Sequence, residues 1–213
     1  MSNMIRSLIL SMMMLGAACS MMPVSYAQEE AAATTEETAA TPSVPDMLKE
    51  VEYLTKAKPK QKKVVVYYIL RSHANCGYCR ALVPDLIAAY KAMKGKGAEL
   101  IMLSGDSDLK VAKEWAKSAG MTYPIVTNET TGKVDVPAGG GGYPNITVVT
   151  ANGEVLDKAS GKSACTELVN RWKEFVKDAK KAEKEAKSAA KKAAKKAKKE
   201  AAEEADAAED SEA

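Results

Sequence analysis

The stretch that decides the fold is VVVYYILRSHANCGYC, which occupies residues 64–79. It begins with a continuous β-branched and aromatic run, Val64 to Leu70, as expected for a strand that is buried on both faces. The residues from Cys76 to Met93 follow as a predicted helix. Cys76 and Cys79 therefore lie where a buried strand gives way to a helix.

The rest of the chain extends this unit into an α/β domain. The pattern predicts a second buried strand at 99–103, a helix at 108–119, a β-hairpin whose strands 146–150 and 154–156 flank Asn152-Gly153, and a last helix from about Ser163. The β-α-β-α order with continuous apolar strands indicates a parallel sheet covered by helices. Because Asn-Gly is favoured in two-residue hairpin turns, we expect a mixed central sheet with an antiparallel hairpin edge and helices on both faces.

The spacing of Cys76 and Cys79 suits dithiol chemistry. Three residues along the first turn of a helix bring two sulfurs close enough to bond, and the positive end of the helix favours a thiolate on the first of them. Cys76 is then the exposed nucleophile and Cys79 the recessed resolving thiol. Gly77 and Tyr78, between them, tune the balance between thiolate and disulfide.

The same spacing also occurs in zinc sites. A structural zinc needs four ligands, and the further candidates are the single histidine, His73, and the distant Cys165. We therefore expect neither a metal nor a cofactor. His73 has two interpretations, as a group that supports the Cys76 thiolate or as an ordinary loop histidine. Cys165 likewise has two, as a small buried hydrophobic residue or as a third redox thiol.

Several motifs, in order, resemble those of thioredoxins over roughly residues 60–176. Besides the strand and C-x-x-C unit, they are Arg80 and Pro84 after the cysteines, Gly142-Tyr143-Pro144 before a strand, Asn152-Gly153 in the hairpin, and Gly161 before the last helix. The resemblance implies a thioredoxin fold with Cys76 as the nucleophile and Cys79 as the resolving cysteine. It also implies that Pro144 faces them after a cis Tyr143–Pro144 peptide, and that the backbone beside this proline pairs with an extended substrate segment.

Three departures from thioredoxin are visible. Asn75 stands where tryptophan is usual, and Leu70 stands where cytosolic thioredoxins bury a carboxylate. An extra segment near 128–142 resembles the exported TlpA-like and the tryparedoxin/nucleoredoxin-like branches. We interpret Gly139 to Gly142 as a flexible bend into the loop around Tyr143-Pro144, here called the proline loop. A phosphate loop is not expected, since no Lys-Ser/Thr pair follows these glycines.

The start of the chain predicts export. Residues 1–27 combine a positive start, an apolar stretch and the small-x-small pattern Ser25-Tyr26-Ala27, which is typical of a secretory signal peptide. The alternative is a lipoprotein signal in which Cys19 is lipidated. Residues 28–45, rich in Ala, Thr and Glu, predict a flexible leader. Either route exports the chain, and the periplasm is the expected compartment.

The folded domain is predicted at 46–176, followed by a tail at 177–213. The formal net charge of +3 conceals two biased blocks, a Lys/Ala-rich one at 177–199 and an acidic one at 200–213. Nothing larger than alanine is available for burial, so the tail is predicted to be a solvated helix or disordered. The alternative is that the lysine block contacts an anionic surface. The block contains no aromatic residues, which argues against nucleic acid as the partner.

These observations predict an exported thiol–disulfide oxidoreductase, a reductase or isomerase that passes through a mixed disulfide. Its partners would be disulfide-containing exported proteins and a redox partner that reduces or oxidises the Cys76–Cys79 pair. The other hypothesis is a non-catalytic cell-envelope binding protein, with the domain as a platform and the basic tail as the binding element.

Overall fold

A computed structural model describes residues 42–59 and 63–209, with side chains as far as residue 196. The elements in chain order are helix α1 (Val44–Met47), strand β1 (Val66–Ser72), helix α2 (Gly77–Met93), strand β2 (Ala98–Ser104), helix α3 (Leu109–Ser118), strand β3 (Ile125–Val126), a 3-10 helix (Asn128–Lys133), strands β4 (Asn145–Thr150) and β5 (Val155–Ser160), and helices α4 (Lys162–Asn170) and α5 (Trp172–Glu209).

The five strands form one mixed sheet in the order β3-β2-β1-β4-β5. Strands β1, β2 and β3 are parallel, whereas β4 and β5 run antiparallel to their neighbours. The turn at Asn152-Gly153 joins β4 to β5, and Gly153 has the positive φ of 87° that this turn requires. The predicted mixed sheet with an antiparallel hairpin edge is confirmed.

The continuous apolar sequence of β1 is explained by burial on both faces of the sheet. Tyr68 and Leu70 enter one core, which also takes side chains from α2, α3, α4 and the start of α5. Tyr67 and Ile69 enter a second core, which α1 covers on the other face. Side chains alternate in direction along a strand, so a central strand with helices on both sides needs apolar residues at every position.

Both ends of the folded region differ in detail from the sequence prediction. Val44 is fully buried, and its N–H donates to the Ala151 carbonyl at 2.9 Å, two residues before the predicted domain start at 46. The predicted last helix is two helices, separated at Arg171. The second of them, α5, continues without a break for 38 residues into the predicted tail.

The surface of α5 changes character at Lys177. Trp172, Phe175 and Val176 pack into the core, whereas the side chains from Lys180 to Lys196 are exposed. None of the helices in the described part of the chain is long and apolar enough to cross a membrane. The predicted signal sequence, the Cys19 alternative and most of the leader lie outside the described residues.

Strand pairing brings the two predicted active-site segments together. Arg71, near the end of β1, pairs with Asn145, the first residue of β4. The loop that follows β1 and carries Cys76 is therefore adjacent to Pro144, which immediately precedes β4. Because β1 and β2 are parallel, the turn after β2 lies at this same edge, with Ser72 opposite Ser104.

Candidate active site

Cys76 and Cys79 lie at the start of α2. Cys76 has extended backbone and caps the helix, and its Sγ accepts the Cys79 N–H at 3.1 Å. This is the position where a helix has unpaired N–H groups and a positive dipole end. A sulfur held there gains a hydrogen bond that strengthens when it becomes a thiolate.

The two thiols differ in access to solvent. Cys76 is partly exposed, whereas Cys79 is 1% exposed and packs into the core that contains Tyr68 and Leu70. Burial, and after it the hydrogen bond with Cys76, raises the pKa of the Cys79 thiol to about 11. At neutral pH Cys79 is therefore a protonated, inaccessible thiol, and Cys76 is the sulfur that an external disulfide can reach.

The proline loop packs against this dithiol. The Tyr143–Pro144 peptide bond is cis, as the resemblance to thioredoxins implies. The Cys76 thiol donates to the Tyr143 carbonyl at 3.6 Å. The Pro144 carbonyl is held from the other side by the Gly161 N–H at 2.9 Å. The structure thus brings Cys76, Cys79 and Pro144 together.

The remaining predicted site residues surround Cys76. Gly77 and Tyr78 are exposed, and among the residues that the structure describes Tyr78 and Tyr143 are the two large exposed aromatic side chains, at 71% and 42%. The His73 ring packs edge-on against the Tyr143 ring, with 4.7 Å between the ring centres. The His73 carbonyl accepts the Cys76 N–H at 3.3 Å. His73 therefore contacts Cys76 through its backbone and Tyr143 through its ring.

Cys165 is a third free thiol beneath the proline loop. Its side chain is fully buried, and its Sγ–H lies 3.8 Å from the Pro144 carbonyl and 3.8 Å from the Ala159 carbonyl. Burial raises its pKa to about 11. Within residues 42–59 and 63–209, no three His, Cys, Asp or Glu side chains are grouped as a metal site requires.

Residues 37–158, more than half of the chain, match the AhpC/TSA family. The chain belongs to the AhpC/TSA family. This family is thioredoxin-like, so the thioredoxin fold and the oxidoreductase class predicted from the sequence are confirmed. No curated protein shows significant similarity to the sequence.

Several solved structures are similar to this AhpC/TSA protein. The thioredoxin domain of a thiol-disulfide oxidoreductase from Bacteroides vulgatus is 22% identical over 54% of this chain and 81% of its own, with a TM-score of 0.44. A putative protein disulfide isomerase from Bacteroides thetaiotaomicron is 19% identical over 60% of this chain and 84% of its own, with a TM-score of 0.48. A secreted disulfide oxidoreductase from Mycobacterium tuberculosis is 14% identical over 59% of this chain and 96% of its own, with a TM-score of 0.45.

Two features of the site in this AhpC/TSA protein were missed by sequence reasoning. The first is the turn after β2, where the carboxylate of Asp106 accepts the Ala74 N–H at 2.9 Å. One signal could have revealed it. An acidic residue just after a buried strand, parallel and adjacent to the strand that leads to the cysteines, is expected at the same edge of the sheet.

The second missed feature is the tight packing of Gly139. A Cβ on this residue would lie 2.3 Å from the Ile146 carbonyl oxygen and 2.7 Å from that of Ala159. Its N–H donates to the side chain of Asn145 at 3.1 Å, and the Asn145 amide donates to the Gly142 carbonyl at 2.6 Å. Gly139 therefore lies in the predicted bend, and its close packing against β4 and β5 is the feature that the sequence did not reveal.

Proposed function

We propose that this AhpC/TSA protein is an exported thiol–disulfide oxidoreductase that acts on protein disulfides through Cys76 and Cys79. The observation that carries the proposal is the arrangement at the start of α2. A partly exposed Cys76 sulfur accepts the Cys79 N–H at 3.1 Å, beside a Cys79 side chain that is 1% exposed. This geometry suits an attacking thiolate with a protected resolving thiol next to it.

The reaction begins when the Cys76 thiolate attacks one sulfur of a substrate disulfide. A bond forms between Cys76 and that sulfur, the substrate disulfide breaks, and the departing sulfur leaves as a thiolate that takes up a proton. Cys79 then loses its proton and attacks Cys76. The Cys76–Cys79 disulfide forms, the second substrate thiol is released, and two electrons have passed from the protein to the substrate.

The reductase and isomerase cycles share the first step and differ in the second. In a reductase cycle, Cys79 resolves the adduct, and an external dithiol partner then reduces the Cys76–Cys79 pair. In an isomerase cycle, another thiol of the substrate attacks the adduct and returns Cys76 unchanged. The exposed rings of Tyr78 and Tyr143 and the backbone beside Pro144 are the proposed contacts for an extended substrate segment.

The proposed substrates are disulfide-containing exported proteins. Support comes from residues 1–27, whose charge and apolar pattern is that of a secretory signal and which would deliver the protein to the periplasm. Disulfides form and persist in that compartment. Lipid attachment at Cys19 is the alternative route and would hold the same domain at a membrane surface.

The proposal is tested with Cys76→Ser in insulin reduction and in refolding of scrambled ribonuclease. Both rates should fall to those without enzyme, because the serine hydroxyl is not ionised at neutral pH and cannot replace the thiolate. Ala88→Ser is the matched control, since it places the same hydroxyl on an exposed position of α2. Unchanged rates in both assays for Cys76→Ser would show that the proposal is wrong.

A second candidate function rests on the exposed lysines of α5. Lys191, Lys192, Lys195 and Lys196 are exposed on a continuous helix, where each can contribute about 1 kcal/mol of attraction near an anionic lipid surface. Replacing all four by Gln should reduce binding to phosphatidylglycerol vesicles by about tenfold or more and leave insulin reduction unchanged. Equal binding by the variant, or equal binding of the wild type to phosphatidylcholine vesicles, would exclude this role.

A further inference from the structure

The turn after β2 is placed directly beside the loop that carries Cys76. Ser104 ends β2 opposite Ser72, which ends β1. The next residue, Gly105, donates its N–H to the Ser72 carbonyl at 2.9 Å. The sheet therefore delivers Asp106 to within hydrogen-bonding distance of the loop between Ser72 and Cys76.

Asp106 is a buried carboxylate, 8% exposed, and its hydrogen bonds are directed at that loop. Its two oxygens lie 2.9 and 3.2 Å from the Ala74 N–H, and one of them also accepts the Ser104 hydroxyl at 3.2 Å. The Ser104 oxygen in turn accepts the Asp106 N–H at 3.3 Å. Burying a carboxylate is costly unless its oxygens are hydrogen-bonded, and here the main backbone partner is two residues before Cys76.

The other side of Ala74 is held by α2 itself. The Arg80 Nε–H donates to the Ala74 carbonyl at 2.6 Å. Asp106 therefore holds the N–H of Ala74, and Arg80 holds its carbonyl. With Ala74 fixed at both groups, the chain can reach Cys76 in the extended conformation, φ −96° and ψ 115°, that a helix cap needs.

We propose that Asp106, with Arg80, positions Cys76 by clamping Ala74, so that the sulfur stays on the Cys79 N–H and is reactive as a thiolate. This inference rests on the proposed function for its biological meaning, because it assigns positioning residues to the same dithiol. It concerns the chemistry of the Cys76 sulfur alone. Asp106 acts through the backbone, and the expected consequence of losing it is a less readily ionised Cys76.

The test measures the rate of Cys76 alkylation by iodoacetamide against pH, with the labelled cysteine identified by mass spectrometry. Asp106→Ala removes the acceptor of the Ala74 N–H, and the midpoint of the pH profile should rise by about one pH unit. At pH values below the midpoint, alkylation would then be about tenfold slower than in the wild type. Asp106→Asn retains an acceptor oxygen for the Ala74 N–H and should restore the wild-type profile to within about threefold in rate.

Asp108→Ala is the matched structural control. Asp108 lies in the same turn and caps α3 by accepting the Lys110 N–H at 2.8 Å and the Val111 N–H at 3.3 Å. Its loss should lower the thermal midpoint of unfolding, as loss of a helix cap does, without moving the alkylation profile. If Asp106→Ala also lowers the thermal midpoint but leaves the profile in place, the role of Asp106 is structural and the proposal is overturned. An Asn variant as slow as the Ala variant would overturn it too.

A second variant keeps the test valid if Asp106→Ala does not fold. Arg80→Lys retains the exposed positive charge but removes the Nε–H from the Ala74 carbonyl. The midpoint of its alkylation profile should therefore also rise. An unmoved midpoint would contradict the proposed clamping of Ala74. Iodoacetamide requires no disulfide substrate. If the wild type reduced no disulfide while Asp106→Ala still shifted the profile, the proposed function would fail and the positioning role would stand.

Discussion

Replacing Cys79 by Ser should convert the protein from a turnover catalyst into a covalent trap. In this variant Cys76 keeps its access to solvent, so the first attack on a substrate disulfide still occurs. The resolving thiol is missing, and the other described cysteine, Cys165, is fully buried. Multiple turnover of insulin reduction should fall to the rate without enzyme, and a stable mixed disulfide should accumulate on Cys76.

The adducts can be measured in cells that export the Cys79→Ser variant. Acid quenching, non-reducing electrophoresis and mass spectrometry should reveal dithiothreitol-sensitive adducts whose partner peptides identify the exported substrates. The double variant Cys76→Ser/Cys79→Ser is the matched control and should trap nothing. If Cys79→Ser turned over like the wild type without adducts, resolution by Cys79 would be excluded.

The same step has a pH signature in the wild type. Because burial raises the pKa of Cys79 to about 11, the fraction of resolving thiolate, and with it release of the adduct, should rise roughly tenfold per pH unit at neutral to moderately alkaline pH. Folding disfavours this thiolate. The stability that the protonated Cys79 thiol contributes is therefore fully present below its ordinary pKa of 9.0 and is lost as the pH rises toward about 11.

The parts of the fold that could be predicted from the sequence are those determined by residues that lie close together along the chain. Burial of β1 on both faces requires the apolar run from Val64 to Leu70, and the turn at Asn152-Gly153 requires positive φ. The place of Pro144 beside Cys76 was predicted only through the resemblance to thioredoxins, since nothing local to either residue encodes a contact across more than sixty residues. The roles of the individual site residues stay predictions until the variants are measured.

The features that sequence reasoning missed depend on contacts between distant segments. Asp106 is one acidic residue among many in the sequence, and its contact with Ala74 exists because β2 is parallel to β1 and in register with it. Gly139 has neighbours in the sequence that suggest flexibility. Its packing is set by the paired carbonyls of β4 and β5, which no local pattern reveals.

The second large effect is expected from Gly139→Ala. The added Cβ would lie 2.3 Å from the Ile146 carbonyl oxygen and 2.7 Å from that of Ala159, and these two residues pair across β4 and β5. Backbone oxygens in a strand pair cannot move aside without disturbing the ladder. We expect a loss of about 1–3 kcal/mol in the free energy of unfolding, measured in urea, as for other overpacked sites.

Gly141→Ala is the matched control two residues away, because a Cβ there meets no atom within 4 Å. It should change the free energy of unfolding by no more than about 0.5 kcal/mol. Equal losses for the two variants would show that glycine is needed at 139 for chain freedom and not for close packing.

Activity separates two consequences of Gly139→Ala. Gly139 donates to Asn145, and the Asn145 amide holds the Gly142 carbonyl, just before the Tyr143 carbonyl that accepts the Cys76 thiol. A strand pair that shifts to admit the new methyl group should therefore displace the proline loop from Cys76. In conditions where the variant remains folded, insulin reduction should still be slower than in Gly141→Ala. Equal rates would mean that the proline loop keeps its place and that Gly139 serves stability alone.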